Sequence, residues 1–92
     1  MPVRLGVIAD DLTGANDTGV QFARRGARAI VPLDWHDLGA FRRNADVLVL
    51  NTNSRAATPR VAAQRARLAA EALLRAGVEA VYKKIDSTFR GN

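Results

Sequence analysis

The sequence has no cysteine, one histidine, one tryptophan and five aromatic residues in all. Without cysteine there is no disulfide framework, no thiolate nucleophile and no thiolate-bound zinc, and a reducing, cytoplasmic setting is expected. No apolar run approaches the roughly 20 residues of a membrane-spanning helix, and the N-terminus lacks the charged-then-apolar pattern of a secretory signal. A membrane partner is therefore not expected. Lysine is scarce, with two residues against twelve arginines, and 14 basic residues set against 9 acidic ones give a net charge of +5. These arginines are scattered and not interleaved with aromatics, which argues against a nucleic-acid partner.

What is present is the makeup of a small globular domain: 92 residues, 48% hydrophobic, with seven glycines and three prolines. A chain of this size hides only about 60–70% of the surface that its unfolded form exposes. Residues 3–9 (VRLGVIA) form a short, nearly continuous apolar run and predict a strand buried on both faces. Residues 14–25 predict a helix, with Thr13 as N-cap, Asp17 in the first turn, and Ala15, Gly19, Phe22 and Ala23 on one face. Gly26 stops it. Residues 27–33 predict a second strand, whose end Pro32 confines to an edge or an exit. A loop with a short helix near 38–43 leads to a third strand at 46–50.

The clearest helix opens at Thr58-Pro59, with Thr58 as cap and Pro59 in the first turn, and closes at Gly77. Val61, Leu68, Ala69, Ala72, Leu73 and Ala76 are its expected apolar stripe. Arg60, Gln64, Arg67, Glu71 and Arg75 are its wet face, with Glu71 and Arg75 at a supportive spacing. Residues 79–85 predict a fourth strand. The expected fold is α/β: a partial three-layer, Rossmann-like or flavodoxin-like domain of about four mostly parallel strands with helices. Two clear helices cover both faces of such a sheet poorly, so the domain is expected to be incomplete and to self-associate through its uncovered sheet.

In an open parallel sheet, ligands bind beyond the carboxyl ends of the strands. Three of these ends carry unusual polar clusters: Asp10 to Gly19, Asn51 to Arg55, and Lys83 to Asn92. The opposite ends offer only short glycine, alanine and arginine turns. Asp10-Asp11 suits turn and capping chemistry, or else orients a substrate hydroxyl or holds magnesium. Gly14 and Gly19 have the spacing of a phosphate loop, but Val20-Gln21 stands where Lys-Ser/Thr is required, which excludes a Walker A site. Asn51 to Arg55 reads as a polar turn, or as a loop presenting an arginine fork to a carboxylate or phosphate. Lys84, Asp86, Ser87, Thr88 and Arg90 place two further bases around an acid and two hydroxyls. His36 has no partner at metal-ligand spacing and reads as a loop residue. Together the clusters suggest a pocket for a small hydroxy acid.

These clusters resemble the four-carbon acid sugar kinase family. Asp10-Asp11-Leu12-Thr13-Gly14-Ala15 matches its D-D-x-T-G-A pattern, and Asn51-Thr52-Asn53-Ser54-Arg55 matches N-T-x-S-R. Residues 83–92 match K-K-x-D-S-T-x-R-G-N, with Phe89 where leucine is commoner. The resemblance implies that residues 1–92 are the N-terminal portion of the sugar-acid-binding domain, without the C-terminal ATP-binding domain. It implies an ATP- and Mg2+-dependent kinase of threonate, erythronate or oxo-tetronate, the nucleotide being held mainly by the missing domain. Carried over residue by residue, Asp10, Asp11, Arg55, Lys84, Asp86, Ser87, Thr88 and Arg90 contact substrate. The resemblance implies a catalytic aspartate, for which Asp11 and Asp86 are both candidates. Alone, the fragment is expected to be inactive.

Two other classes compete. A receiver-type phosphoacceptor also carries two acids after its first strand, but needs an aspartate at the end of the third, where Asn51 stands. A non-catalytic α/β interaction module would use the uncovered sheet face to bury a partner.

Overall fold

A computed structural model describes residues 5–32, 35, 38–41 and 45–84. Its elements in chain order are β1 (Leu5–Ala9), α1 (Leu12–Arg24), β2 (Ala29–Ile30), a 3-10 turn (Leu38–Phe41), β3 (Val47–Asn51), α2 (Pro59–Arg75) and β4 (Ala80–Lys84). All strand pairs are parallel, in the order β2-β3-β1-β4. This is the expected α/β class, with the central pair β1–β3 buried.

The strand pleat sorts the core into two layers. Val7, Ala9, Val47 and Val49 face one side and pack with Ala15, while Phe22 borders them. Ile8, Leu48 and Leu50 face the other and pack with Ala69, Leu73 and Ala76. Alternate residues of a strand point to opposite faces, so α1 and α2 lie on opposite sides of the sheet. The fit of α2 depends on Gly6, because a β-carbon built there would stand 2.7 Å from Leu73 Cδ1. Leu73 is fully buried and occupies the volume that a side chain at position 6 would take.

Both helices end as the glycines predicted. Gly26 and Gly77 have φ of +87° and +88°. Ala27 N donates to Phe22 O and Gly26 N to Ala23 O; Val78 N donates to Leu73 O and Gly77 N to Leu74 O. Each pair closes a Schellman motif. Thr58 caps α2 as expected, its Oγ1 accepting from Val61 N at 3.3 Å. The Glu71–Arg75 pair forms at 3.8 Å, and Arg60, Gln64 and Arg67 are exposed.

Four details depart from the sequence reading. The N-cap of α1 is Asp11, not Thr13, so the helix starts two residues earlier and Asp17 lies beyond its first turn. The buried face of α1 is Ala15, Thr18 and Gly19, with Ala23 exposed. Thr18 is tolerated there because its Oγ1 donates to Gly14 O at 2.8 Å. In α2 the stripe is rotated, so that Ala62 is buried while Leu68 is 48% exposed. The small residues at 62, 69 and 76 let the helix seat Leu73 over Gly6, which turns Leu68 outward. The second strand is also shorter than expected, with only Ala29 and Ile30 at the sheet edge.

The other edge is β4, whose residues 80–83 are all exposed, including Tyr82 at 60%. Val81 pairs with Gly6 and Tyr82 with Val7, so they lie on opposite faces of the sheet. Both faces of this strand are therefore poorly covered by the described residues.

Candidate functional site

The connection after β1 runs through α1 to β2 at one edge, and the connection after β3 runs through α2 to β4 at the other. Adjacent central strands thus send their chains in opposite directions and onto opposite faces. The gap between their carboxyl ends is the topological switch point, where doubly wound sheets bind ligands. Asp10-Asp11 and the loop Thr52 to Arg55 both stand at this gap.

Main-chain bonds lock the two segments together. Thr52 N donates to Ala9 O at 2.8 Å, and Ser54 N and Arg55 N donate to Asp10 O at 2.8 and 3.2 Å. The β1–β3 ladder therefore continues past the end of β3. The hydroxyls of Thr52 and Ser54 lie 2.7 Å apart, and Thr52 Oγ1 also donates to Ala9 O at 3.2 Å. Both side chains are buried, so this exchange satisfies groups that would be costly to leave without partners.

The loop turns at Asn53, whose φ of +51° is the left-handed conformation that asparagine tolerates. Asn51 Oδ1 accepts from Asn53 N at 2.8 Å, and Arg65 Nη1 on α2 donates to Asn53 O at 2.6 Å. The turn is thus held from both sides, and it directs Arg55 back across the gap. Arg55 Nη1 meets Asp11 Oδ2 at 2.8 Å, and Asp11 Oδ1 accepts from Gly14 N at 2.7 Å. One carboxylate therefore caps α1 and grips the arginine of the neighbouring loop.

Asp10 differs from its neighbour. It is 7% exposed, and no hydrogen bond from a described residue reaches its carboxylate. Its main-chain oxygen accepts from Ser54 N and Arg55 N, which ties residue 10 to the loop at the rim.

Of the residues singled out in the sequence, the structure brings Asp10, Asp11 and Arg55 together. The backbone of Lys84 lies on the same edge, since Ala9 is the register partner of both Asn51 and Lys84. Asp86, Ser87, Thr88 and Arg90 lie outside the described residues. Sequence reasoning did not select Thr52, Ser54 or Arg65. The alternation of Thr52 and Ser54 with Asn51, Asn53 and Arg55 was a usable signal, because a strand-like continuation turns every second residue inward. Arg65 carried no signal, being one arginine among several on α2.

The profile of the sugar-binding N-terminal domain family matches residues 5–92. The chain belongs to this family. It is 50% identical to a D-threonate kinase of Salmonella typhimurium, over 98% of this chain and 21% of the relative. A D-erythronate kinase of Heliobacterium modesticaldum is 43% identical over 94% of the chain and 20% of the relative. A 3-oxo-tetronate kinase of Methylobacterium radiotolerans is 34% identical over 97% and 21%. The chain therefore spans about a fifth of the length of the curated relatives it matches.

Among solved structures, a domain of unknown function from Bordetella bronchiseptica, described as a domain-swapped dimer with bound citrate, superposes in two crystal forms. The TM-scores are 0.86 and 0.90 at 42% and 40% identity, over 95% and 99% of this chain and 22% and 24% of that one.

Proposed function

We propose that the rim between β1 and β3 binds the carboxylate and hydroxyls of a four-carbon sugar acid. In this reading the chain is the acceptor-binding part of an ATP-dependent tetronate kinase acting in the cytoplasm. The observation that carries it is the Asp11–Arg55 pair across the switch point, beside the buried Asp10. The guanidinium fork suits a carboxylate, a carboxylate orients a hydroxyl, and Lys84, Asp86, Ser87, Thr88 and Arg90 would complete the cup. The names of the relatives support a tetronate over other hydroxy acids.

ATP with Mg2+ supplies the transferred phosphoryl group in such a kinase. The described residues provide no all-protein cage for that metal ion. They hold no cluster of three or more His, Cys, Asp or Glu side chains suited to a metal, and both Asp11 oxygens are engaged by Gly14 and Arg55. Their part is to position the acceptor, which accounts for much of phosphoryl-transfer catalysis. The chain by itself is accordingly expected to bind a tetronate weakly and to turn none over. A coupled ADP-release assay with D-threonate and D-erythronate checks this, and measurable turnover by the purified chain contradicts it.

Self-association through β4 is the second element of the proposal, favoured by the exposure of Val81 and Tyr82. The receiver-type alternative is disfavoured, since β3 ends on Asn51 where an aspartate phosphoacceptor is required, and the Asn51 amide oxygen accepts from Asn53 N.

A further inference from the structure

Two adjacent acids stand at the rim, and their surroundings differ. Asp11 has one oxygen on the first turn of α1 and the other on Arg55. Its side chain and that of Arg55 are 24% and 33% exposed, so the pair is shielded well enough to hold a defined geometry. Asp10 is buried, and its carboxylate receives no hydrogen bond from a described residue. A carboxylate whose two oxygens already accept from an arginine and a main-chain N–H has less capacity left for a substrate hydroxyl. A buried carboxylate that lacks donors gains most from one that a ligand brings.

We infer that the two acids divide the work: Asp11 is a positioning residue that aims Arg55 at the ligand's carboxylate, and Asp10 is the acid that meets its hydroxyls. The inference rests on the sugar-acid reading above for the part played by Asp10, while the part played by Asp11 stands on its bonds to Gly14 and Arg55. Arg55 reaches the rim from a loop turning through a left-handed residue, and the long side chain has many rotamers to lose. Pre-setting it through Asp11 removes much of that cost before the ligand arrives.

Asp11→Asn separates these roles from simple folding, because asparagine caps a helix as well as aspartate while the charge that holds Arg55 is lost. The test is a double-mutant cycle of Asp11→Asn and Arg55→Met, with Asp10→Asn alongside, read by NMR titration of D-threonate into the 92-residue chain. The Arg55 Nε–Hε signal is followed in the ligand-free proteins. Asp11→Asn is expected to shift and broaden that signal and to weaken binding about fivefold or more, with little further loss on adding Arg55→Met. Asp10→Asn is expected to leave the Arg55 signal in place, to weaken binding, and to add fully to Arg55→Met. In the unmutated chain the Asp10 side-chain carboxyl carbon should move most on saturation, a readout that survives if Asp10→Asn fails to fold.

Additive losses for Asp11→Asn and Arg55→Met, an unmoved Arg55 signal in Asp11→Asn, or an Asp11 carboxyl carbon that moves while that of Asp10 does not, each overturn the inference. A wild-type chain that binds no tetronate overturns the sugar-acid reading and the role of Asp10 with it; the Arg55 signal in Asp11→Asn still decides the role of Asp11.

Discussion

Arg55 and Asp11 meet at 2.8 Å across the gap between two central strands, 44 positions apart in the chain. Neither segment makes this contact alone. The loop after β3 must turn through Asn53, and α1 must begin at Asp11, for the two charges to face each other. Because the pair is partly exposed, its contribution to stability should be small, about 0–1 kcal/mol. Replacing Arg55 by methionine should therefore lower the thermal midpoint little while weakening tetronate binding about tenfold or more. Arg55→Lys should recover only part of that affinity, because an ammonium lacks the planar fork. Calorimetric titration beside a melting curve checks both; a large stability loss with unchanged affinity would make the pair structural.

The turn at Asn53 makes a second expectation. Asparagine tolerates a φ of +51°, and a β-branched residue does not. Asn53→Val should cost about 1–3 kcal/mol, whereas Asn53→Gly should change stability by about 1 kcal/mol or less. Urea unfolding measures both, and equal costs would mean that the backbone conformation at 53 is not what the asparagine supplies.

Packing at Gly6 makes a third. A methyl group at this position meets Leu73 Cδ1 and Cδ2 at 2.7 and 2.9 Å, inside a layer where Leu73 is fully buried. Gly6→Ala should destabilise the fold by about 1–3 kcal/mol, although alanine is ordinarily the better strand residue. Urea unfolding of Gly6→Ala in the Leu73→Val background should show a smaller penalty for the added methyl. A Gly6→Ala chain as stable as the parent would mean that α2 does not seat on β1 as described.

The exposed strand β4 makes a fourth. If it mediates self-association, light scattering after size exclusion should show a species larger than the monomer, and Val81→Lys with Tyr82→Lys should restore the monomer without loss of helicity. A monomer at all concentrations removes this part of the proposal.

Much of the fold was legible because its punctuation is local. Thr58-Pro59, Gly26 and Gly77 mark helix ends through bonds within one or two turns, and the sequence around them suffices. The N-cap of α1 was not legible in the same way. Asp-Asp-Leu-Thr offers several capping side chains, and the choice of Asp11 goes with a bond to an arginine in another loop. The α2 stripe was read correctly at Ala69, Leu73 and Ala76 but wrongly at Ala62 and Leu68, for a related reason. In an alanine-rich helix many faces look apolar, and the one that turns inward is selected by the space above Gly6 on another strand. The strand order also escaped the sequence, since nothing local shows that β3 inserts between β1 and β2. The candidate site fared better, since strand ends are where the sequence departs from apolar runs, and Asp10, Asp11 and Arg55 were visible there. Thr52 and Ser54 were passed over because their task, mutual satisfaction of buried hydroxyls, shows only once the two strands are side by side.

The central claim is most directly tested by following the backbone amide signals of the chain during a D-threonate titration. The account predicts saturable shifts centred on residues 10–14 and 52–55, lost in Arg55→Met. Shifts that instead map to the opposite strand ends, at residues 26–28, 45–46 and 77–79, or no saturable shifts at all, would contradict it.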